Sequence, residues 1–323
     1  MESTLDDLRF ARKPRTWALL LAPLVLLVVL PWAAPASWTV RATMIWIYAI
    51  GVLGQSLLIG HTGQVSFGQA GFLAIGAYAF AHLRQAGVPA LPAILAGGLV
   101  AALFGVLLGL PALRLKGPYL AIATLGFGVA VYQTLASSEV LSGGRNGLDV
   151  PRLEPMFGFP RGITVYYLYL ALLLAFMAAT WNLLSSYVGR AFAAIRDSDV
   201  AAEASGISLT RYKLLAFALS SFYTGVHGAL FTQFLGHVEP QDFTLAESMT
   251  LFVAVIVGGL VFVEGAVLGA AFVVLLPAVF NQSGFLVPVA FGLSLIVVML
   301  FEPLGLAGRW SKVRLYFETW PFR

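Results

Sequence analysis

The run ALPAILAGGLVAALFGVLLGL, residues 90–110, contains no charged side chain and no side chain that can form a hydrogen bond. It is long enough to cross a membrane, because a helix needs about 20 apolar residues to span a hydrocarbon core about 30 Å thick. The whole chain shares this character, with 59% hydrophobic and 11% charged residues. A soluble protein of 323 residues could not bury so much apolar surface. We therefore expect an all-α polytopic membrane protein.

Similar apolar runs cover most of the sequence and predict about ten transmembrane helices. They are residues 17–35, 38–60, 67–83, 90–110, 117–136, 163–184, 214–234, 246–263, 266–282 and 284–301. The joints at 60–67 and 263–266 are short, so the number of helices there is open. The first run could be a cleaved signal sequence, but acidic residues precede it, which favours an anchor. No run alternates as a lipid-facing strand would, which disfavours a barrel.

The distribution of basic residues orients the chain. If the N-terminus is cytoplasmic, 14 of the 19 Lys and Arg residues fall on the cytoplasmic side, as the positive-inside rule requires. The predicted organisation is a cytoplasmic tail at 1–16, a transmembrane domain at 17–301 and a cytoplasmic tail at 302–323. Two connections are long: an outer loop at 137–162 and a cytoplasmic loop at 188–213. The basic pI, about 9.4, is explained by this topology and indicates no nucleic-acid partner.

The cytoplasmic loop reads VGRAFAAIRDSDVAAEASGISLTRYK, residues 188–213. Asp197 or Ser198 can cap a short helix, Gly206 can end it, and Thr210 can cap the next span. The loop is rich in alanine and its charges are balanced. It could be an amphipathic segment on the membrane surface, although such segments favour basic residues and large apolar anchors. It could instead be a helix that docks into a cytoplasmic partner.

Residues 54–83, GQSLLIGHTGQVSFGQAGFLAIGAYAFAHL, combine many glycines with polar side chains. Dense glycine weakens a helix and exposes backbone groups that lipid cannot satisfy. A glycine-interrupted span is typical of a translocation path, so we expect a broken helix here. The alternative is close helix packing through small residues, as in Gly68–Gly76.

His227 is the one titratable side chain in the middle of a predicted span, and we expect it to be a hydrogen-bonded packing histidine rather than a proton carrier.

Several kinds of chemistry are excluded by the sequence. It has no cysteine, and its four histidines have no metal-binding spacing. It lacks the GxxxxGK[ST] loop that would bind ATP, and no nucleophile and base form a recognisable set. We therefore expect no enzymatic activity, cofactor or metal in this chain. If ATP drives its function, another chain must bind ATP and Mg²⁺.

Five motifs follow one another along the chain: Gly63-x-x-Ser66-x-Gly68-x-x-x-Phe72-x-x-x-Gly76-Ala77-Tyr78, Leu115–Leu125, Gly143–Leu148, Gly189–Lys213 and Gly258–Gly269. Together they resemble motifs in the permease subunits of branched-chain amino acid ABC importers, the LivM type in particular. The last motif departs from the family at Val261, Phe262 and Ala266, where small residues or proline are usual. Each motif is weak alone, but their order and spacing over residues 40–305 are specific.

The resemblance implies a role for each long feature. A coupling helix from Arg196 to Gly206 would contact the ATPase, through Arg190, Arg196, Asp197, Asp199, Glu203 and Gly206. The translocation path would be lined by His61, Gln64, Ser66, Gln69, Tyr119, Thr124 and His227. The partners would be a homologous LivH-like permease or a second copy, two ABC ATPases, and a periplasmic or lipid-anchored binding protein. The chain would lie in the inner membrane and transport branched-chain or other amino acids. The alternative solutes are urea and short amides, and the alternative classes of protein are a secondary carrier and a channel.

Overall fold

The computed structural model describes residues 27–115, 117–155, 158–279, 286–302 and 304–319. After helical residues 27–33, the helices are α1 (Ala36–Thr62), α2 (Gln69–Gln85), α3 (Ala90–Ala112), α4 (Pro118–Ser137), α5 (Glu139–Ser142), α6 (Arg161–Ser185), α7 (Tyr187–Asp197), α8 (Asp199–Ala204), α9 (Leu209–Leu235), α10 (Leu245–Gly258), α11 (Gly265–Val279), α12 (Leu286–Phe301) and α13 (Gly305–Thr319). Two 3₁₀ turns, Gly144–Asn146 and Pro240–Phe243, and a ribbon of β1 (Leu148–Asp149) antiparallel to β2 (His237–Val238) complete it.

Each predicted span from 38–60 onward coincides with a helix, whereas most of the span at 17–35 lies outside the described residues. Within the described part of the chain, six helices are long and apolar enough to cross a membrane. Helices α2, α10 and α11 have only 17, 14 and 15 residues. The all-α membrane fold is confirmed, while the count of about ten spans and the side of each terminus stay predictions. The tail predicted at 302–323 contains helix α13.

Helix α9 is the centre of the molecule and packs on α1, α2 and α3. Close approach depends on glycine: a Cβ at Gly76 of α2 would strike the backbone of Gly225, and a Cβ at Gly228 would strike the backbone of Leu73. Lipid tails are as apolar as leucine side chains, so the hydrophobic effect does not drive helices together inside a membrane. Helices associate there through close packing, which small residues permit because they let the backbones touch. At Gly76, close helix packing is therefore the correct interpretation.

Helix α3 shows how the sequence divides lipid from protein. Its small residues Gly97, Ala101, Gly105 and Gly109 are buried, and the last two glycines lie against α9. Its exposed face carries leucines one helical turn apart, Leu95, Leu99, Leu103, Leu107 and Leu110. Side chains three or four residues apart share one helix face. The leucine face is thus available to lipid while the small face fixes α3 against the core.

Candidate functional site

The predicted break in the glycine-rich segment lies at residues 63–68, between α1 and α2. Gly63 ends α1 with φ 69°, the left-handed region that favours glycine. Side chains then replace the missing helical hydrogen bonds. The Thr124 Oγ1 accepts from the Phe67 amide at 3.0 Å, and the Ser248 Oγ accepts from the Ala70 amide at 2.9 Å. The broken helix is confirmed, and its backbone is satisfied by α4 and α10.

A buried polar cluster adjoins this break. The Gln69 Nε2 donates to the Ser220 Oγ at 3.3 Å, and the Thr224 Oγ1 donates to the Gln69 Oε1 at 2.7 Å. Gln55 is also fully buried, and its amide forms no hydrogen bond within the described residues. These groups are all uncharged. We call the hydrogen-bonded residues Gln69, Ser220 and Thr224 the polar seam.

The residues predicted to line the path differ in how deeply they are buried. Gln64, Ser66, Gln69 and Thr124 are buried in the break or in contact with its neighbours. His61 is partly buried in the last turn of α1. Tyr119, by contrast, is 72% exposed at the start of α4. Since exposure in a single chain does not tell a path from a lipid or partner surface, the path roles stay predictions.

His227 is completely buried in α9. Its ring lies 4.9 Å from the ring of Tyr48 and 6.5 Å from that of Phe231. A Cβ at Gly51 would strike its Nδ1, so the absent side chain there makes room for the imidazole. The ring is packed among aromatic side chains as predicted, but the expected hydrogen bond is absent among the residues described, where neither ring nitrogen has a partner. The path role of His227 stays a prediction.

The cytoplasmic loop folds into two short helices, not one. Helix α7 ends at Asp197, Ser198 is extended, and its Oγ accepts from the Ala201 amide to cap α8. The predicted coupling helix from Arg196 to Gly206 is therefore corrected to α8, because Ser198 caps a new helix instead of continuing the old one. Gly206, with φ 81°, ends α8 as predicted.

Helix α9 begins two residues earlier than a cap at Thr210 would place it. The residue that precedes it is Ser208, in an extended conformation. Thr210 lies inside the first turn, so its prediction as the cap of this span is wrong. After the left-handed Gly206, the chain is already helical at Leu209. Thr210 is therefore helical and does not have the extended conformation of a capping residue.

One ion pair and one hydrogen bond hold this loop on the membrane helices. The Lys213 Nζ donates to the Asp199 Oδ2 at 2.7 Å, and this joins α8 to the first turns of α9. The Arg196 guanidinium donates to the Gly60 carbonyl at 3.2 Å and lies 3.3 Å from the Asp197 carboxylate. A cleft of about 310 Å³ between the loop and the break is lined by Thr62, Gln64, Arg196, Asp199 and Lys213, among others. The charged loop and the broken helix thus meet at one place.

The outer face of α8 is free in the isolated chain. Ala202 is buried, while Ala201, Glu203 and Ala204 are exposed and Val200 is 76% exposed. An ion pair holds this short helix at one face, and the other face presents an apolar and acidic surface. Such a surface is suited to contact another protein. Arg190 is exposed on α7, with its guanidinium 5.7 Å from the Tyr187 ring.

Comparison with known proteins decides the family. Residues 40–302 match the family described as branched-chain amino acid transport system / permease component. The chain belongs to this family. It is 35% identical to LivM, a high-affinity branched-chain amino acid transport system permease protein of Salmonella typhimurium, over 89% of this chain and 74% of that protein. It is 26% identical to LivH of Escherichia coli over 81% of this chain and 91% of that protein.

A third permease, BraD of Pseudomonas aeruginosa, is 27% identical over 81% of this chain and 92% of its own length. No solved structure gives a significant match. The permease described here is therefore a multi-pass membrane protein and a transporter component. This membership confirms the resemblance that the ordered motifs indicated.

At its other end the permease has a polar group that sequence reasoning missed. The ribbon of β1 and β2 ties the loop after α5 to the loop after α9, and Asp149 lies 2.8 Å from the His237 Nδ1. Burial raises the pKa of the Asp242 carboxyl, and the hydrogen bond that it accepts from the Glu239 amide offsets part of this rise. Glu247 follows in the first turn of α10. The signal available in the sequence was an acid that opens an apolar helix.

Proposed function

We propose that this permease is the membrane-spanning subunit that forms the translocation path of an ATP-driven importer for branched-chain amino acids, in the inner membrane, with both termini cytoplasmic. The observation that carries the proposal is the similarity to LivM over 89% of the chain. The relatives' names specify branched-chain amino acid transport. The predominance of basic residues on one side of the predicted topology supports the orientation.

The path we propose follows the break at 63–68 and the polar seam. Irregular backbone at membrane depth is tolerated where it is packed in protein or lines a watery passage. Gln64, Ser66, Gln69 and Thr124 offer amides and hydroxyls without net charge. Such a lining suits a zwitterion better than a strongly charged ion. Other amino acids, urea and short amides are the alternative solutes.

Coupling to ATP is proposed to pass through α8. Two ABC ATPases on other chains would bind ATP and Mg²⁺ and dock on its exposed face, with Glu203, Arg190 and Gly206 at the contact. The ion pair of Asp199 with Lys213 would carry the movement of α8 into α9. The hydrogen bond from Arg196 to the Gly60 carbonyl would carry it to the break. Both contacts favour this route because each joins the loop to a different membrane helix.

The remaining partners follow from the same family. The similarity to both LivM and LivH supports pairing with a homologous LivH-like permease, or with a second copy. A periplasmic or lipid-anchored binding protein would deliver the solute to the outer loops, where the β1–β2 ribbon joins two connections. Membrane lipid covers the remaining apolar surface.

Reconstitution tests this function. The permease with its LivH-like partner and ATPases is placed in vesicles, with loaded binding protein on one side and ATP on the other. We expect leucine uptake that needs both ATP and the binding protein. Uptake of urea but not leucine would select the amide alternative. Uptake without ATP, driven by an ion gradient or by the leucine gradient alone, would contradict the proposal and favour a secondary carrier or a channel.

A further inference from the structure

The cleft of about 310 Å³ between the cytoplasmic loop and the break has walls from three parts of the chain. The break contributes Thr62 and Gln64, the loop and the start of α9 contribute charged side chains, and the connection from α3 to α4 contributes apolar ones. The predicted topology places this connection and the loop in the cytoplasm, so the cleft faces the compartment that receives the solute. Its volume lies at the lower end of the range for small-molecule sites, about 300–1,000 Å³, and suits a molecule about the size of an amino acid.

The cleft contains charged groups of both signs that are sheltered from water. The Lys213 Nζ donates to the Asp199 Oδ2, and the two side chains are only 14% and 25% exposed. An ammonium group has three donors and a carboxylate has two oxygens, so this pair uses only part of its capacity within the described residues. The remaining Lys213 donors can bind a carboxylate, and the other Asp199 oxygen can accept from an ammonium group.

Gln64 adds a neutral acceptor at the edge of the break. Its side chain is 7% exposed, and its Nε2 donates to the Thr62 Oγ1 at 2.9 Å. Among the residues that the structure describes, none donates a hydrogen bond to its Oε1. Buried polar groups in proteins nearly always have a partner. An oxygen without one beside a cleft is therefore suited to a ligand that carries a donor.

Aliphatic side chains form the rest of the lining that this argument uses, namely Leu115, Leu120 and Ile195. Leu120 and Ile195 are buried, and Leu115 is partly buried. Small-molecule sites generally combine such an apolar lining with a few placed polar groups. A ligand with two opposite charges and a branched aliphatic side chain would match both parts of the cleft.

We propose that this cleft binds the transported branched-chain amino acid from the cytoplasm, and that the bound molecule slows further uptake. The ligand carboxylate binds Lys213, its ammonium group binds Asp199 and the Gln64 Oε1, and its side chain lies against the aliphatic lining. The ligand thereby joins the break to α8. Coupling as proposed above requires α8 to move relative to the membrane helices, and a molecule that bridges them resists this movement. The inference rests on the proposed function and adds inhibition by the product to it.

The test uses vesicles that contain the reconstituted complex, with ATP and unlabelled leucine trapped inside and binding protein loaded with labelled leucine outside. Trapped leucine cannot compete for the binding protein, so slower initial uptake of label reports a site on the cytoplasmic side. We expect a saturating concentration of trapped leucine to lower the initial rate about fivefold or more, the lower end of coupling between two sites. Trapped glycine, which lacks the side chain, and leucinamide, which lacks the carboxylate, should leave the rate nearly unchanged. Equal slowing by all three compounds would overturn the inference.

Two variants locate the effect. Leu115→Trp places a larger side chain in the cleft, and Gln64→Ala removes the free oxygen. Each is measured as the ratio of uptake with trapped leucine to uptake without it, so a change in basal transport cancels. Both should lose most of the slowing. The matched control is Leu110→Trp, the same substitution at a position that is 51% exposed on α3 and outside the cleft, which should be slowed like wild type.

Slowing that persists in both cleft variants, or that is lost equally in the control, would overturn the inference. If Leu115→Trp fails to assemble, Gln64→Ala decides by the same ratio. A wild type that takes up leucine normally and ignores trapped leucine would overturn this inference alone. Absence of ATP-dependent leucine uptake into vesicles without trapped leucine would instead refute the proposed function.

Discussion

Separating α8 from α9 should uncouple ATP hydrolysis from transport. The link is the ion pair of Asp199 with Lys213, whose atoms lie 2.7 Å apart and whose side chains are 25% and 14% exposed. Fully exposed pairs contribute about 0.2–1 kcal/mol, whereas breaking a buried pair costs about 3–5 kcal/mol. A pair that is mostly but not fully buried should therefore contribute about 1–2 kcal/mol.

The assay counts leucine molecules transported per ATP hydrolysed in reconstituted vesicles. Asp199→Ala and Lys213→Ala should each lower this ratio about tenfold, the factor that 1.4 kcal/mol represents. The double variant should be no worse than either single variant, because both remove the same interaction. Lys312→Ala is the control, since Lys312 is 61% exposed in its pair with Glu302 and lies outside the cytoplasmic loop, so its loss should matter little. Additive losses, or equal losses at Lys312 and Lys213, would refute the reasoning.

Two further predictions concern packing and the broken helix, and both are checked by the melting temperature of the purified protein. Gly76→Ala should destabilise the protein by about 1–3 kcal/mol, because the new Cβ would strike the Gly225 backbone. The control, Gly126→Ala, should be neutral or stabilising, because a Cβ there meets nothing within 4 Å. Equal effects of the two substitutions would contradict this prediction. Thr124→Val should destabilise the protein by about 1–3 kcal/mol, because the Phe67 amide loses its hydrogen-bond acceptor. Thr124→Ser keeps the hydroxyl and should not destabilise the protein. A Thr124→Val protein as stable as wild type would contradict this prediction.

The helices were predictable because hydrophobic length is a local property. Runs such as 90–110 and 214–234 need no knowledge of their neighbours, and α3 and α9 cover them with small shifts at the ends. The break at 63–68 was also predictable, since glycine and polar residues concentrate there. The sequence could not show which side chains accept hydrogen bonds from the backbone at that break, because Thr124 and Ser248 come from helices far along the chain.

Boundaries within the cytoplasmic loop were only partly predictable. Ser198 and Gly206 were recognised as helix signals, but whether Ser198 interrupts one helix or starts another depends on how Asp199 reaches Lys213. Thr210 has the composition of a cap and lies inside α9 instead.

The central claim is that this permease is driven by ATPases that dock on α8. The most direct test is purification of the tagged chain from its native membrane, with mass identification of the proteins that accompany it, for wild type and Glu203→Arg. Glu203 is exposed on α8, so reversing its charge should disturb docking and leave the fold intact. We predict that P-loop ATPase subunits accompany the wild type and are lost from the variant. A chain that purifies without ATPases and still moves leucine in vesicles free of ATP would contradict the account.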